Sequence, residues 1–166
     1  MNVPLGNSGE LKNLLAFKTP SARYALNIVL DSDNRILLLK RSIKVAMGAE
    51  KWGFPAGKIE LGETPKAAAA RELEEEIGDK HEVLSERFLG PIRDYFYGGQ
   101  YEIYLFQKRW KTGRIILNHE HTDSVWASPE NFQCFDAMKG IEEDIAMLQL
   151  WPKSALNPNK LPPYLR

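Results

Sequence analysis

Glu72, Glu75 and Glu76 stand at i, i+3 and i+4, so on a helix they share one face and crowd three carboxylates into a small volume. The helix is legible on its own. Thr64 suits an N-cap, Pro65 the first helical position, the alanines at 67–70 and Leu73 the interior, and Gly78 the stop, which gives a span of about 65–77. Ala69, Ala70, Leu73 and Ile77 fall on the adjoining face, so one stripe enters a core while the other meets a ligand. Like charges at this spacing destabilise a helix by roughly 0.2–0.5 kcal/mol per pair, and a positive group is expected to offset that. An oxygen-only carboxylate cluster suits Mg²⁺ or Mn²⁺ and does not suit zinc. Arg71, four residues before Glu75, is placed to hold a carboxylate in a fixed orientation. Glutamate runs on helices are most often solvated faces, and the helix alone does not separate that reading from a metal site.

The wider spacing does. Residues 57–79, GKIELGETPKAAAARELEEEIGD, resemble the Nudix signature G-x5-E-x7-R-E-U-x-E-E-x-G-U, with U a bulky aliphatic, through Gly57, Glu63, Arg71, Glu72, Leu73, Glu75, Glu76 and Gly78. A chance match at the positions that demand a single residue type is on the order of one in a billion per window. Asp79 departs from the pattern, which has an aliphatic residue there, and this bears on how the chain leaves the helix rather than on the carboxylates. The likeness extends to LLLKR at 37–41 and WGFPAG at 52–57, and downstream to NHEHTDSVWAS at 118–128, where many members carry one more acidic residue into the metal site; here that residue is Glu120.

The resemblance implies a Nudix-type α/β/α sandwich with a mixed central sheet, and a metal-activated water that attacks the diphosphate linkage of a nucleoside diphosphate derivative. Products would be a nucleoside monophosphate and phosphorylated X. It implies a metal set of Glu72, Glu75 and Glu76, with Glu76 and Glu72 foremost, joined by Glu120. Glu63 supports the site from the loop and Arg71 orients the carboxylates. The general base is a carboxylate not fully used by metal, either Glu76 or Glu120. Arg41 and Lys58, with Gly57, are the candidates to meet phosphate oxygens, an exposed salt bridge being the commoner fate of such cations.

Substrate identity is less well marked. Trp52, Phe54, Tyr95, Phe96, Tyr97, Tyr101 and Tyr104 offer aromatic faces for a base, although aromatics on strands are more often core. Tyr97 falls where dinucleoside polyphosphate hydrolases often place a tyrosine, while Pro91 stands slightly short of the proline typical of the ADP-ribose branch. Nucleotide sugars and nucleoside triphosphates stay open. Two other readings are a non-catalytic Nudix-fold binding or regulatory module, which the four intact box glutamates disfavour, and an RNA 5′-end pyrophosphohydrolase, which wants a basic surface.

The chain of 166 residues has 43% hydrophobic and 27% charged residues and a formal net charge of +0, which is ordinary globular composition with no global field toward nucleic acid or membrane. One domain, 1–166, is expected, with an N-terminal extension at 1–20 and a proline-rich tail at 151–166. The lone Cys134 excludes an intrachain disulfide, no run reaches membrane-span length, and the N-terminal residues lack the order of a secretory signal, so a cytoplasmic protein is expected, with a homodimer allowed. Coarse patterning predicts a short helix at 8–17 and strands at 22–30, 35–40, 85–97, 100–111, 114–117 and 123–127. A second helix is expected at 135–150 with Met138, Ile141, Ile145 and Leu148 inward, followed by a tail extended over the surface.

Overall fold

The structure is a computed structural model that describes residues 19–166; the helix expected at 8–17 lies outside them. Strands β1 (Ala22–Leu30) and β2 (Ile36–Arg41) run antiparallel about a turn at 31–34. Asp31 Oδ1 closes that turn by accepting from the amides of Asp33 and Arg35, each at 2.9 Å. Two short strands follow, β3 (Trp52–Gly53) and β4 (Ala56–Lys58), then helix α1 (Pro65–Ile77), long strands β5 (His81–Arg93) and β6 (Tyr101–Gly113), strand β7 (His121–Ala127) and helix α2 (Ile141–Met147).

The sheet order is β3-β2-β1-β6-β5, with β4 on β1 and β7 on β2. Among the described strands β1 and β6 are parallel and the other pairs antiparallel, so the sheet is mixed. Strand alternation decides the layers. Val29, Leu37 and Leu39 point to the face where Leu73 and Ile77 of α1 pack, and Ala25 meets Ala68 and Ala69 on that same side. Ile28, Leu30, Ile36 and Leu38 point the other way, onto Ile141 and Ile145 of α2 and Leu148. Helices on both faces of a mixed sheet make the α/β/α sandwich.

Four expectations need correction. The strand expected at 85–97 runs from 81 to 93, and stops where the Asp94 carboxylate accepts the Tyr101 amide at 2.8 Å to shape the turn. The strand expected at 114–117 does not form, because β6 continues to Gly113 and the next amides are tied elsewhere: Arg114 donates to Lys80 O and Ile116 to Ile77 O, both at 2.9 Å. The second helix is half its expected length. Trp52 donates its amide to Asp136 O and Met138 donates to Trp52 O, both at 2.9 Å, so this backbone pairs with β3 and cannot coil; Gly140, at φ 103°, then turns the chain into α2. The tail is not a surface strap. Its prolines open short 3₁₀ turns, and Trp151, Ala155, Leu156 and Leu161 are buried in the same core as α2, with Trp151 Nε1 donating to Asn34 O at 2.8 Å.

Candidate active site

α1 is held in register from both ends. Thr64 Oγ1 accepts the Ala67 amide at 3.1 Å, Pro65 fills the first position, and Gly78, at φ 82°, returns its amide to Glu74 O at 2.9 Å. Asn27 pins the helix from below. This fully buried β1 residue donates its side-chain amide to Ala69 O at 3.0 Å and Pro55 O at 3.2 Å, so α1 and the loop into β4 share one anchor.

That anchoring turns the three helix glutamates in different directions. Glu76 faces inward at 1% exposure, accepting the Ala56 amide at 3.2 Å. Glu72 lies against β4 so closely that a Cβ at Gly57 would stand 1.9 Å from its carboxyl carbon, which only glycine permits. Glu75 lies on the rim with a 54% exposed side chain. Arg71 ties the set together: it grips Glu63 through two nitrogens at 2.8 and 2.9 Å, donates to Glu72 Oε1 at 2.7 Å and Lys58 O at 3.0 Å, and reaches Glu75 at 3.3 Å. Such a fork fixes both distance and orientation. The bond to Arg71 pulls the Glu63 carboxyl down to about 2.

A β-bulge between Lys40 and Arg41 shifts the register opposite β7, so that Arg41 pairs with His121. The preceding loop is fixed by the Glu120 amide donating to Asn118 Oδ1 at 3.1 Å and by Glu120 O accepting from Ser42 at 2.8 Å. Glu76, Glu120 and His121 thereby each present a ligand atom within 4.8 Å of one another. His121 is the residue the sequence reading passed over. It stands beside Glu120 in NHEH, and the burial that makes it available is set by the bulge.

Electrostatics mark the same spot. Burial, then the charges of Glu72 and Glu120, push the Glu76 carboxyl up to about 9. Burial also raises Glu72, against the pull of Arg71, and pushes His121 down to about 4 with help from Arg41. At neutral pH both partners of the 3.8 Å His121–Glu76 contact are therefore uncharged, and it is not an ion pair. His121 Nδ1 is buried with no hydrogen-bond partner among the described residues. Carboxylates at this spacing with one imidazole nitrogen form an oxygen-dominated donor set that Mg²⁺ or Mn²⁺ fits, and a divalent charge would favour the ionised form of Glu76.

Glu72, Glu120, Arg41, Lys58 and Gly57 line a cleft of about 340 Å³, which Glu76 does not reach. Arg41 also donates to Met47 O at 2.8 Å. Of the aromatic residues considered from sequence, Phe54, Tyr95, Phe96, Tyr97 and Tyr101 line the cleft. Trp52 packs on Phe135 at 5.2 Å and Tyr104 is buried beneath α1, so neither belongs to it. Tyr24 was missed; it shares the strand face of Leu26, a parity readable from the alternation of β1.

Residues 20–149 match the family model described as NUDIX domain. The chain is similar to the 8-oxo-dGTP diphosphatase of Escherichia coli (strain K12), 46% identical over 34% of this chain and 43% of that protein, so the match spans less than half of the relative's length. It is also similar to nucleoside triphosphatase NudI of Salmonella arizonae, 30% identical over 65% of this chain and 83% of that one. The fold matches a solved NUDIX hydrolase from Nitrosomonas europaea at a TM-score of 0.63 and 20% identity, covering 86% of this chain and 99% of that chain.

Proposed function

This chain belongs to the Nudix family, and on that premise we propose that it is a cytoplasmic, divalent-cation-dependent pyrophosphohydrolase that cleaves a nucleoside diphosphate derivative to a nucleoside monophosphate and phosphorylated X. The observation that carries the reading is the convergence of buried Glu76 with Glu120 and His121, electrostatically coupled to Glu72, beside a cleft that is cationic at Arg41 and Lys58 and aromatic beyond. Glu76, Glu72, Glu120 and His121 would hold Mg²⁺ or Mn²⁺, with Glu75 on the rim. The cation supplies positive charge to the diphosphate oxygens and makes water a better nucleophile.

The protein's own residues do the rest. Arg71, braced by Glu63, keeps Glu72 from rotating away, and Gly57 lets the β4 backbone approach it. Arg41 and Lys58 meet phosphate oxygens. Water adds to one phosphorus, the bridging P–O bond breaks with its electron pair leaving on the other phosphate, and Glu120 takes the proton released. Glu120 fits that task better than Glu76 because it lines the cleft, whereas Glu76 is 1% exposed and is not among the residues that line it.

The test is product analysis on nucleotide sugars, dinucleoside polyphosphates, ADP-ribose and nucleoside triphosphates with Mg²⁺ or Mn²⁺. Nucleoside monophosphate release that stops in excess EDTA is expected; undiminished hydrolysis in EDTA overturns the reading. Glu120→Gln is expected to lower kcat by roughly 10²-fold with KM held within a few-fold, as a group acting on the attacking water should. An effect confined to KM makes Glu120 a substrate contact instead.

A further inference from the structure

The wall that α2 gives the cleft ends in an acid with no partner. Asp144 lines the cleft at 6% exposure, and its carboxyl makes no hydrogen bond or ion pair with any described residue. Neighbouring Glu143 is already engaged, accepting the Tyr164 hydroxyl at 2.8 Å. Burial, reinforced by the charge of Glu143, pushes the Asp144 carboxyl well above the usual carboxylate range. A neutral carboxyl presents one donor and one acceptor side by side. Left unmet in a buried place, such a group costs free energy that a ligand can return.

The surroundings say which part of a nucleotide returns it. Leu26, Ile92 and Ile103 line the same cleft and pack against the core that holds Ile141 and Ile145 of α2, and Tyr24, Tyr97 and Tyr101 line it too; Tyr24 and Tyr101 meet edge to face at 5.4 Å. A phosphate, like a sugar, offers no flat face for the rings. A nucleobase has both a π-face and an edge with adjacent N–H and C=O or ring nitrogen.

We propose that Asp144 is the specificity-determining residue of this site, reading with its carboxyl the paired donor and acceptor on the edge of a nucleobase seated among these aromatic side chains. The inference rests on the nucleotide-hydrolase reading only in naming the ligand a nucleotide. It needs no turnover to be tested.

The experiment is calorimetric titration of AMP, GMP, CMP and UMP into wild type, Asp144→Asn, Asp144→Leu and Asp144→Ala, with thermal melts as the check on folding and steady-state kinetics on the best diphosphate substrate. Wild type is expected to prefer one base by at least about tenfold, the worth of a satisfied buried hydrogen-bond pair. Asp144→Asn, which keeps a donor and an acceptor on the same shape, should stay within about threefold for that base. Leu and Ala, which keep neither, should each lose about tenfold or more in affinity and flatten the preference. Flat wild-type affinities overturn the proposal, as does unaltered binding in a folded Leu or Ala variant, or an equal loss in Asn and Ala. Base discrimination without turnover on any diphosphate would remove the hydrolase reading alone, and turnover with no base discrimination would remove this one alone.

Discussion

Glu74, Glu75 and Glu76 close α1, and Glu142, Glu143 and Asp144 open α2, so the molecule carries nearly the same acidic triplet twice and treats it in opposite ways. Acids in a first turn meet the positive end of the helix dipole, whereas acids in a last turn meet the negative end, where each costs on the order of 0.3–1 kcal/mol. The α1 triplet therefore sits where helix stability would not put it, and a guanidinium reaches one of its members: Arg71 pairs with Glu75, and also with Glu72 and Glu63. No arginine or lysine forms an ion pair with the α2 triplet among the described residues. There the tail supplies neutral donors, the Asn157 amide to Glu142 and the Tyr164 hydroxyl to Glu143, and burial raises all three carboxyls. α1 thus keeps a guanidinium against its acids and buries only Glu76 of the three, whereas α2 buries all three with no ion-pair partner among the described residues. Identical letters carry different chemistry because the neighbours come from elsewhere in the chain.

The sharpest way to break this contrast is Glu76→Gln. If the α1 triplet works as charge, kcat should fall by at least roughly 10². Stability without cation should hold or rise, since a buried amide replaces a carboxyl that its neighbours disfavour. The pH dependence has a defined sign: the folded value of about 9 lies above the ordinary 4.5, so this carboxyl stabilises the cation-free fold fully below pH 4.5 and that contribution is lost as pH rises toward about 9. Cation-free melts of the variant should therefore fall less across that window than those of wild type. Wild-type kcat in the variant would show the α1 face to be solvated decoration.

The burial of the α2 triplet depends on the tail that covers it, and Leu161→Ala tests that cover. Leu161 is 2% exposed in the core shared with α2, so the loss should be about 2–5 kcal/mol in urea unfolding. A loss under about 0.5 kcal/mol would return the tail to the surface.

That tail marks where the sequence was silent. α1 was readable to the residue because its signals are local: Thr64, Pro65 and Gly78 act within a turn of where they stand. β1, β2 and their turn were readable for the same reason. α2 was overestimated because its apolar spacing continues through Met138, while what stops the helix is pairing of 136–138 with Trp52, more than eighty residues away in the chain. The prolines of the tail suggested an extended path, yet proline also opens 3₁₀ turns, and only the three-dimensional core decides that Leu156 and Leu161 go inside. At the site, the spacing of Gly57, Glu63, Arg71 and the helix glutamates was visible as pattern. The approach of His121 depends on the bulge at Arg41, and the cover over Glu142 and Glu143 on the tail, neither of which leaves a local signature.

A smaller effect separates the guanidinium of α1 from mere positive charge. Arg71→Lys keeps the charge and loses the fork that spans Glu63, Glu72 and Lys58 O. We expect kcat to drop by about tenfold, with the Glu63 carboxyl returning from about 2 toward its ordinary value when followed by NMR titration. Unchanged kcat with a shifted Glu63 would make the fork structural only.

The smallest effect is the most informative about α2. Glu142 is 2% exposed and accepts the Asn157 amide, a bond that glutamine can also accept, so Glu142→Gln should change stability by no more than about 1 kcal/mol. The sign should depend on pH. Burial raises the folded-state Glu142 above 4.5, so its contribution is complete below pH 4.5 and is lost as pH rises through the folded value. Urea unfolding should therefore show the variant level with wild type at acid pH and gaining on it at neutral pH, where the wild type must either bury a charge or keep its proton against the solvent. A loss of several kcal/mol at neutral pH would mean that Glu142 is held as charge.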